Sequence, residues 1–169
     1  VELLADPPSD EEITLPLTLA VEPGQDAPFA LTSRAGTLRC YDLQAGKLAF
    51  ELDEAHATRA AFAHDTLVLA LRGELRAVDP AGGSTRWRQE REISVHDLAV
   101  GRGTLLALGQ QRGEQGTERV LEALDVATGL ALWRVALGPD PVFSLATVGG
   151  HVLVAHAFVS SVASMLERG

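Results

Sequence analysis

Five histidines, one cysteine and three clustered serines are the side chains of this 169-residue chain best suited to metal binding or nucleophilic chemistry. Histidine is the usual metal ligand and general base near neutral pH. His56, His64, His96, His151 and His156, however, fall in separate segments. Only His151 and His156 are close, and their odd separation places them on opposite faces of a strand. His64-Asp65 reads as a turn and His96-Asp97 as the start of a strand, so a metal site would require convergence of distant segments. Cys40 is the only cysteine, which excludes an internal disulfide or a Cys-based zinc site. Its alternation with Leu38 marks it as a small core residue. Ser160, Ser161 and Ser164 lack a nucleophile elbow or a neighbouring base. Gly101-Arg102-Gly103 makes a tight hairpin and does not open a helix as a phosphate loop does. No catalytic, cofactor-binding or metal-ligating residue is assigned, and no cofactor is expected.

Charge narrows the partners. With 23 acidic against 14 basic residues the net charge is -9, which repels phosphate backbones and anionic lipid. Arg86, Arg88 and Arg91 form the only basic cluster, and Glu90 and Glu92 flank it. It is expected to be a solvated strand face, with no nucleic-acid role. No apolar run is long enough to cross a membrane as a helix, and no signal-peptide pattern opens the chain. The expectation is a soluble chain without direct membrane insertion. Val1 at the start and Met165 as the only methionine fit either processing or excision from a longer protein. The compartment is not set by these residues.

The residues that do recur at fixed spacing are an acid, a glycine and an aromatic. They are Asp42, Gly46 and Phe50; Asp79, Gly83 and Trp87; Asp125, Gly129 and Trp133. In each set the glycine follows the aspartate by four residues and the aromatic follows the glycine by four. A short carboxylate ending a strand accepts backbone N–H bonds in the turn. Glycine supplies the positive φ that the turn needs. The aromatic then offers a large flat surface on the departing strand. The aspartates sit 37 and 46 residues apart, and the polar segment Gln110–Glu118 is expected to be a loop that absorbs the longer interval.

Elements must hold these triplets in place, and the chain is rich in short punctuated ones, with Gly 16 and Pro 8. Further hairpins are expected at Ala60–Leu71, Val95–Gln110 and Val142–Phe158, and at Leu15–Ser33 around Glu22-Pro23-Gly24. Two hairpins per period make four strands, the count for a propeller blade. The chain resembles the quinoprotein-like (PQQ-like) β-propeller repeats on Leu121-Glu-Ala-Leu-Asp125-Val-Ala-Thr-Gly129-Leu-Ala-Leu-Trp133. The match is looser at Asp79/Gly83/Trp87 and at Asp42/Gly46/Phe50, where Phe replaces Trp. The resemblance implies an outer-strand aromatic wedged between neighbouring blades.

The expected fold is therefore all-β, with four-stranded antiparallel blades. Residues 1–13, acidic and proline-bearing, form a linker; residues 14–169 form an incomplete propeller with blades at about 15–52, 57–89 and 94–137 and a partial one at 142–169. Val162–Gly169 is expected as a third strand that stops where the next turn should begin. About three and a half blades fall short of the 4–8 of a closed ring, so the chain is expected to be part of a larger ring or assembly. The resemblance implies a non-catalytic scaffold for protein contacts, not an enzyme, with a protein partner or remaining propeller chain at the open edges. Periplasmic placement follows from the resemblance and cytoplasmic placement remains open. Two alternatives stand beside it: a fragment of a PQQ-dependent quinoprotein dehydrogenase, for which the vicinal cysteine pair is lacking, and a sensor or ligand-binding propeller of a signalling protein.

Overall fold

Apolar–polar alternation punctuated by glycine produces fourteen β-strands and no helix among the described residues. The computed structural model describes residues 17–21, 24, 26, 28–34, 36–53, 57–113, 116–138, 142–148 and 151–156. The acidic segment 6–12, His56, the three serines and the expected Val162–Gly169 strand lie outside them.

After β1 (Thr18–Val21), the first sheet runs β2 (Phe29–Arg34), β3 (Thr37–Asp42) and β4 (Lys47–Leu52). The second holds β5 (Arg59–Ala63), β6 (Thr66–Leu71), β7 (Glu74–Val78) and β8 (Thr85–Glu90). The third holds β9 (Ser94–Gly101), β10 (Thr104–Gly113), β11 (Gly116–Asp125) and β12 (Ala131–Gly138). A fourth contributes β13 (Val142–Val148) and β14 (His151–His156). Within each sheet every strand pairs antiparallel with its neighbour in sequence.

Two-residue turns close the inner hairpins. His64 and Asp65 have φ of 47° and 56°, and Arg102 and Gly103 have 53° and 73°, the positive pair that a tightly twisted hairpin demands. Near the inner edge neighbouring sheets lie side by side, β1 and β5 against β9 and β9 against β13.

The sheets stack face to face through apolar layers. Alternate residues of the second sheet point opposite ways: Ala60, Phe62, Leu67, Leu69 and Val78 meet Phe29, Leu38 and Phe50 of the first sheet. Ala61, Val68, Leu75 and Ala77 meet Leu98, Val100, Leu105 and Leu124 of the third. Phe29 and Phe62 cross edge to face at 4.7 Å and 89°, a favoured aromatic geometry. A smaller layer joins Leu106, Leu108 and Leu121 of the third sheet to Leu145 and Val154 of the fourth.

Two expectations are corrected. Leu15–Ser33 is not a hairpin: β1 pairs parallel with β5, Thr18 opposite Arg59 through Val21 opposite Phe62. The reason is burial. In that register Leu19 and Val21 join the layer between the first two sheets while Ala20 joins the next layer, so β1 extends both faces of the second sheet. Nor is Gln110–Glu118 an irregular loop. The β10–β11 ladder continues through Gln110 opposite Arg119 and Gln111 opposite Glu118 to Gly113 opposite Gly116. Cross-strand bonds from Arg119 to Gln110 and from Gln111 to Glu118 at 2.8 Å hold it. Polar composition misled the reading because a ribbon solvated on both faces needs no apolar alternation.

Candidate functional site

The recurring triplets occupy one place in each of the first three sheets, with the aspartate and glycine in the turn between the last two strands and the aromatic on the last strand. In the first, Asp42 Oδ1 accepts the amides of Gln44 and Ala45 at 2.8 and 2.9 Å. In the second, Asp79 Oδ1 accepts the Ala81 amide at 3.1 Å, and the Gly83 amide donates to the Asp79 carbonyl at 2.7 Å. In the third, Asp125 Oδ1 accepts both the amide and the hydroxyl of Thr128 at 2.8 Å. That double donation, the hydroxyl foremost, holds the Asp125 carboxyl below its ordinary range. Gly46, Gly83 and Gly129 have φ of 63°, 72° and 71°, a region other residues enter at a cost.

A small residue on the last-but-one strand stands opposite each aromatic. Cys40 pairs with Phe50, Ala77 with Trp87 and Ala123 with Trp133, and all three small residues are fully buried. In each case a β-bulge follows immediately, between Cys40 and Tyr41, Ala77 and Val78, and Ala123 and Leu124. Such an irregularity bends the strand, in the second and third sheets at the point where the turn approaches the preceding sheet.

Phe50 and Trp87 each reach toward the glycine of the following turn. A Cβ placed on Gly83 would lie 2.8 Å from the Phe50 ring, and one on Gly129 would lie 2.7 Å from the Trp87 ring. Both approaches exclude any side chain. The Trp87 indole N–H also donates to the Val126 carbonyl at 2.8 Å, and Cys40 Sγ lies 4.0 Å from the Pro80 carbonyl. Burial, with the nearby Asp42 charge adding to it, pushes the Cys40 thiol up to about 11. Phe50 is buried and Trp87 half-buried, while Trp133 is 45% exposed. At the opposite end of the series, nothing stands within 4 Å of a Cβ on Gly46.

The other face of the same strand pairs carries charge. Arg39 meets Glu51 at 2.5 Å, and Glu122 meets Arg134 at 3.3 Å. At the corresponding place in the second sheet Arg76 faces Arg88, a like-charged pair that Glu74 bridges at 2.7 and 2.6 Å. The basic cluster is therefore less solvated than its sequence suggests. Arg91 is 13% exposed, lies 3.6 Å from the buried Glu122, and donates to the Gly129 carbonyl at 2.9 Å. Arg86 binds the Thr66 hydroxyl at 2.7 Å. The cleft of about 500 Å³ beside them is lined by Arg72, Arg88 and Arg91 but equally by Glu74, Glu90 and Glu92, so it offers no net charge to an anion.

Asp97 was not singled out by the sequence, and it joins three sheets. Its Oδ2 accepts the Leu145 amide of the fourth at 2.8 Å, and its Oδ1 lies 3.6 Å from Arg59 Nε of the second. His96-Asp97 at a strand start was the only signal. His64 and His96 sit in different sheets, and no group of three metal-binding side chains forms among the described residues.

Stacked sheets of consecutive antiparallel strands, four in β5–β8 and four in β9–β12, joined by a repeated aromatic-to-glycine seam define a β-propeller of the PQQ-like class. The model of the family described as outer membrane protein assembly factor BamB matches residues 34–164, and the chain belongs to that family. Among solved structures it is similar to BamB from Moraxella catarrhalis, with TM-score 0.64 and 19% identity over 87% of this chain and 45% of that one. It is also similar to a quinohemoprotein alcohol dehydrogenase from Comamonas testosteroni, with TM-score 0.55 and 17% identity over 69% and 21%. The computationally designed Ika4 protein matches at 0.59 and 15% over 88% of this chain and 93% of that one. The chain thus spans less than half of the Moraxella protein. Among curated proteins none matches the sequence. The dehydrogenase likeness carries fold alone. With its single cysteine buried against Pro80, this chain does not fit the vicinal-cysteine quinone site that the resemblance implies.

Proposed function

We propose that the chain is a non-catalytic propeller scaffold for protein–protein contacts and a segment of a larger ring or assembly. In this reading residues 14–169 form one incomplete propeller, with blades at about 15–52, whose β1 is lent to the second sheet, 57–89 and 94–137 and a partial one at 142–169, and residues 1–13 are a linker. The nine residues of the three triplets are the repeat's structural motif, with Phe50 and Trp87 each closing a seam against the next turn. One observation carries the proposal: Phe50 and Trp87 are matched to a following glycine, whereas Trp133 presents the same surface still 45% exposed. Membership of a family described as an assembly factor supports the same reading.

The test is in-cell cross-linking of the tagged chain in its producing organism. Cross-links to a discrete partner that concentrate on β12 and β14 and vanish in Trp133→Glu would support it. Calcium- and quinone-dependent dye reduction by the purified chain would sink it.

A further inference from the structure

We propose that β1 is a strand with two places, held on β5 in this structure and able to transfer to the inner edge of β2. The first sheet is one strand short. β2 and β3 stand in it as β6 and β7 do in the second sheet and β10 and β11 in the third, since β3, β7 and β11 each run up to a triplet aspartate. β5 and β9 precede the later pairs, and no described strand takes that place on β2. The connection between β1 and β2 is ill suited to it. Pro23 has no N–H to give a ladder, Gly24 turns with a φ of 87°, and Gly24, Asp26 and Pro28 belong to no strand.

β1 meets the requirements of that place. It runs parallel to β5, and β5 runs antiparallel to β6. Equivalent strands of stacked blades share a direction, so β1 runs antiparallel to β2 where it stands. Its height also fits, because Val21 pairs with Phe62, whose ring meets that of Phe29 at the start of β2 at 4.7 Å. A sideways step without reversal sets Val21 opposite Phe29, Leu19 opposite Leu31 and Thr18 opposite Thr32. Directly opposed residues share a face, so Leu19 and Val21 stay in the layer they fill with Phe29 and Leu31. Antiparallel pairing is slightly the stronger per residue. Ala20 favours β5, where it packs into the layer between the second and third sheets; on β2 it faces away from the first layer. Two places that differ chiefly by the burial of one methyl group form a balance that a small change tips. Transfer unfastens the first sheet from the second and bares the edge of β5.

Disulfide trapping without denaturant, in the Cys40→Ala chain carrying Thr18→Cys, Thr32→Cys and Arg59→Cys, tests this. A link from position 18 to 59 reads β1 on β5, since Thr18 stands opposite Arg59, and a link from 18 to 32 reads it on β2. Peptide mapping after equilibration in a glutathione buffer is expected to find mostly the first link with the second as a minor product, and the purified chain linked 18 to 32 should still melt cooperatively. Ala20→Lys should raise the ratio of the second link to the first about tenfold, because a charge is costly in the apolar layer beside β5. Leu19→Ala should leave the ratio unchanged, because Leu19 keeps its layer in both places. Absence of the 18-to-32 link, its formation only in chains that no longer melt cooperatively, or a ratio indifferent to Ala20→Lys overturns the proposal. Loss of cooperative melting in Ala20→Lys overturns it too, since a strand with a second place keeps the fold.

Discussion

Trp87 and Gly129 belong to different sheets, yet a Cβ on the glycine would lie 2.7 Å from the indole. The absence of a side chain at one position is thus what admits the largest side chain at the other. Replacing Gly129 with Val should cost about 3 kcal/mol or more, since overpacking adds to the strain of a positive φ. Gly46, with φ 63° and open space around it, should lose only about 1 kcal/mol as Ala. Urea unfolding of the two variants checks the contrast, and equal losses would remove the seam from the explanation.

Removing the indole probes the same contact from the other side. Trp87→Ala should destabilise by about 3–5 kcal/mol, as large core truncations do. Trp87→Phe should be much milder, because Phe50 fills the corresponding place against Gly83. Thermal unfolding of both variants ranks them.

Glu122 is 6% exposed in its side chain and lies near both Arg91 and Arg134. Glu122→Ala should cost about 3–5 kcal/mol because it leaves Arg91 buried without its carboxylate. The exposed Arg39–Glu51 pair should contribute less than about 1 kcal/mol. A double-mutant cycle at each pair measures the difference.

Asp125 has a lowered folded-state pKa caused by the Thr128 hydroxyl and amide. Its contribution is present above the unfolded pKa and is lost as pH falls through the folded one. The wild-type melting temperature should therefore decline more steeply on acidification than that of Asp125→Asn. Parallel slopes would remove Asp125 as a source of acid sensitivity.

Cys40 behaves in the opposite sense. Its thiol is raised from 9.0 to about 11, so above pH 9 the unfolded chain ionises first and folding weakens toward pH 11. Cys40→Ala should flatten that alkaline decline, and iodoacetamide should label the native thiol slowly at pH 9. Rapid labelling of folded protein would contradict the burial.

The triplets were legible because an acid, a glycine and an aromatic at fixed spacing are a local code: turn, backbone sign and surface all lie within nine residues. What the code omits is the partner of each aromatic, which lies 33 residues ahead of Phe50 and 42 ahead of Trp87. Asp97 escaped for the same reason, since its partners Arg59 and Leu145 are set by the stacking of sheets and not by neighbours in sequence. β1 was misplaced because a short apolar strand fits either a hairpin partner or a parallel edge, and only the two-sided burial of Leu19, Ala20 and Val21 decides. The β10–β11 ribbon was missed because both of its faces are polar.

The parallel pairing of β1 with β5 also bears on how the molecule comes apart. It threads the first sheet inside a loop that runs from Thr18 to Arg59. Repeat arrays often melt one unit at a time, but here the first sheet on its own can melt only as a loop whose ends stay pinned by the β1–β5 pairing, which withholds part of the chain entropy that melting releases. Hydrogen exchange should find these two sheets opening as one unit, so the smallest independent piece of the chain is a pair of blades.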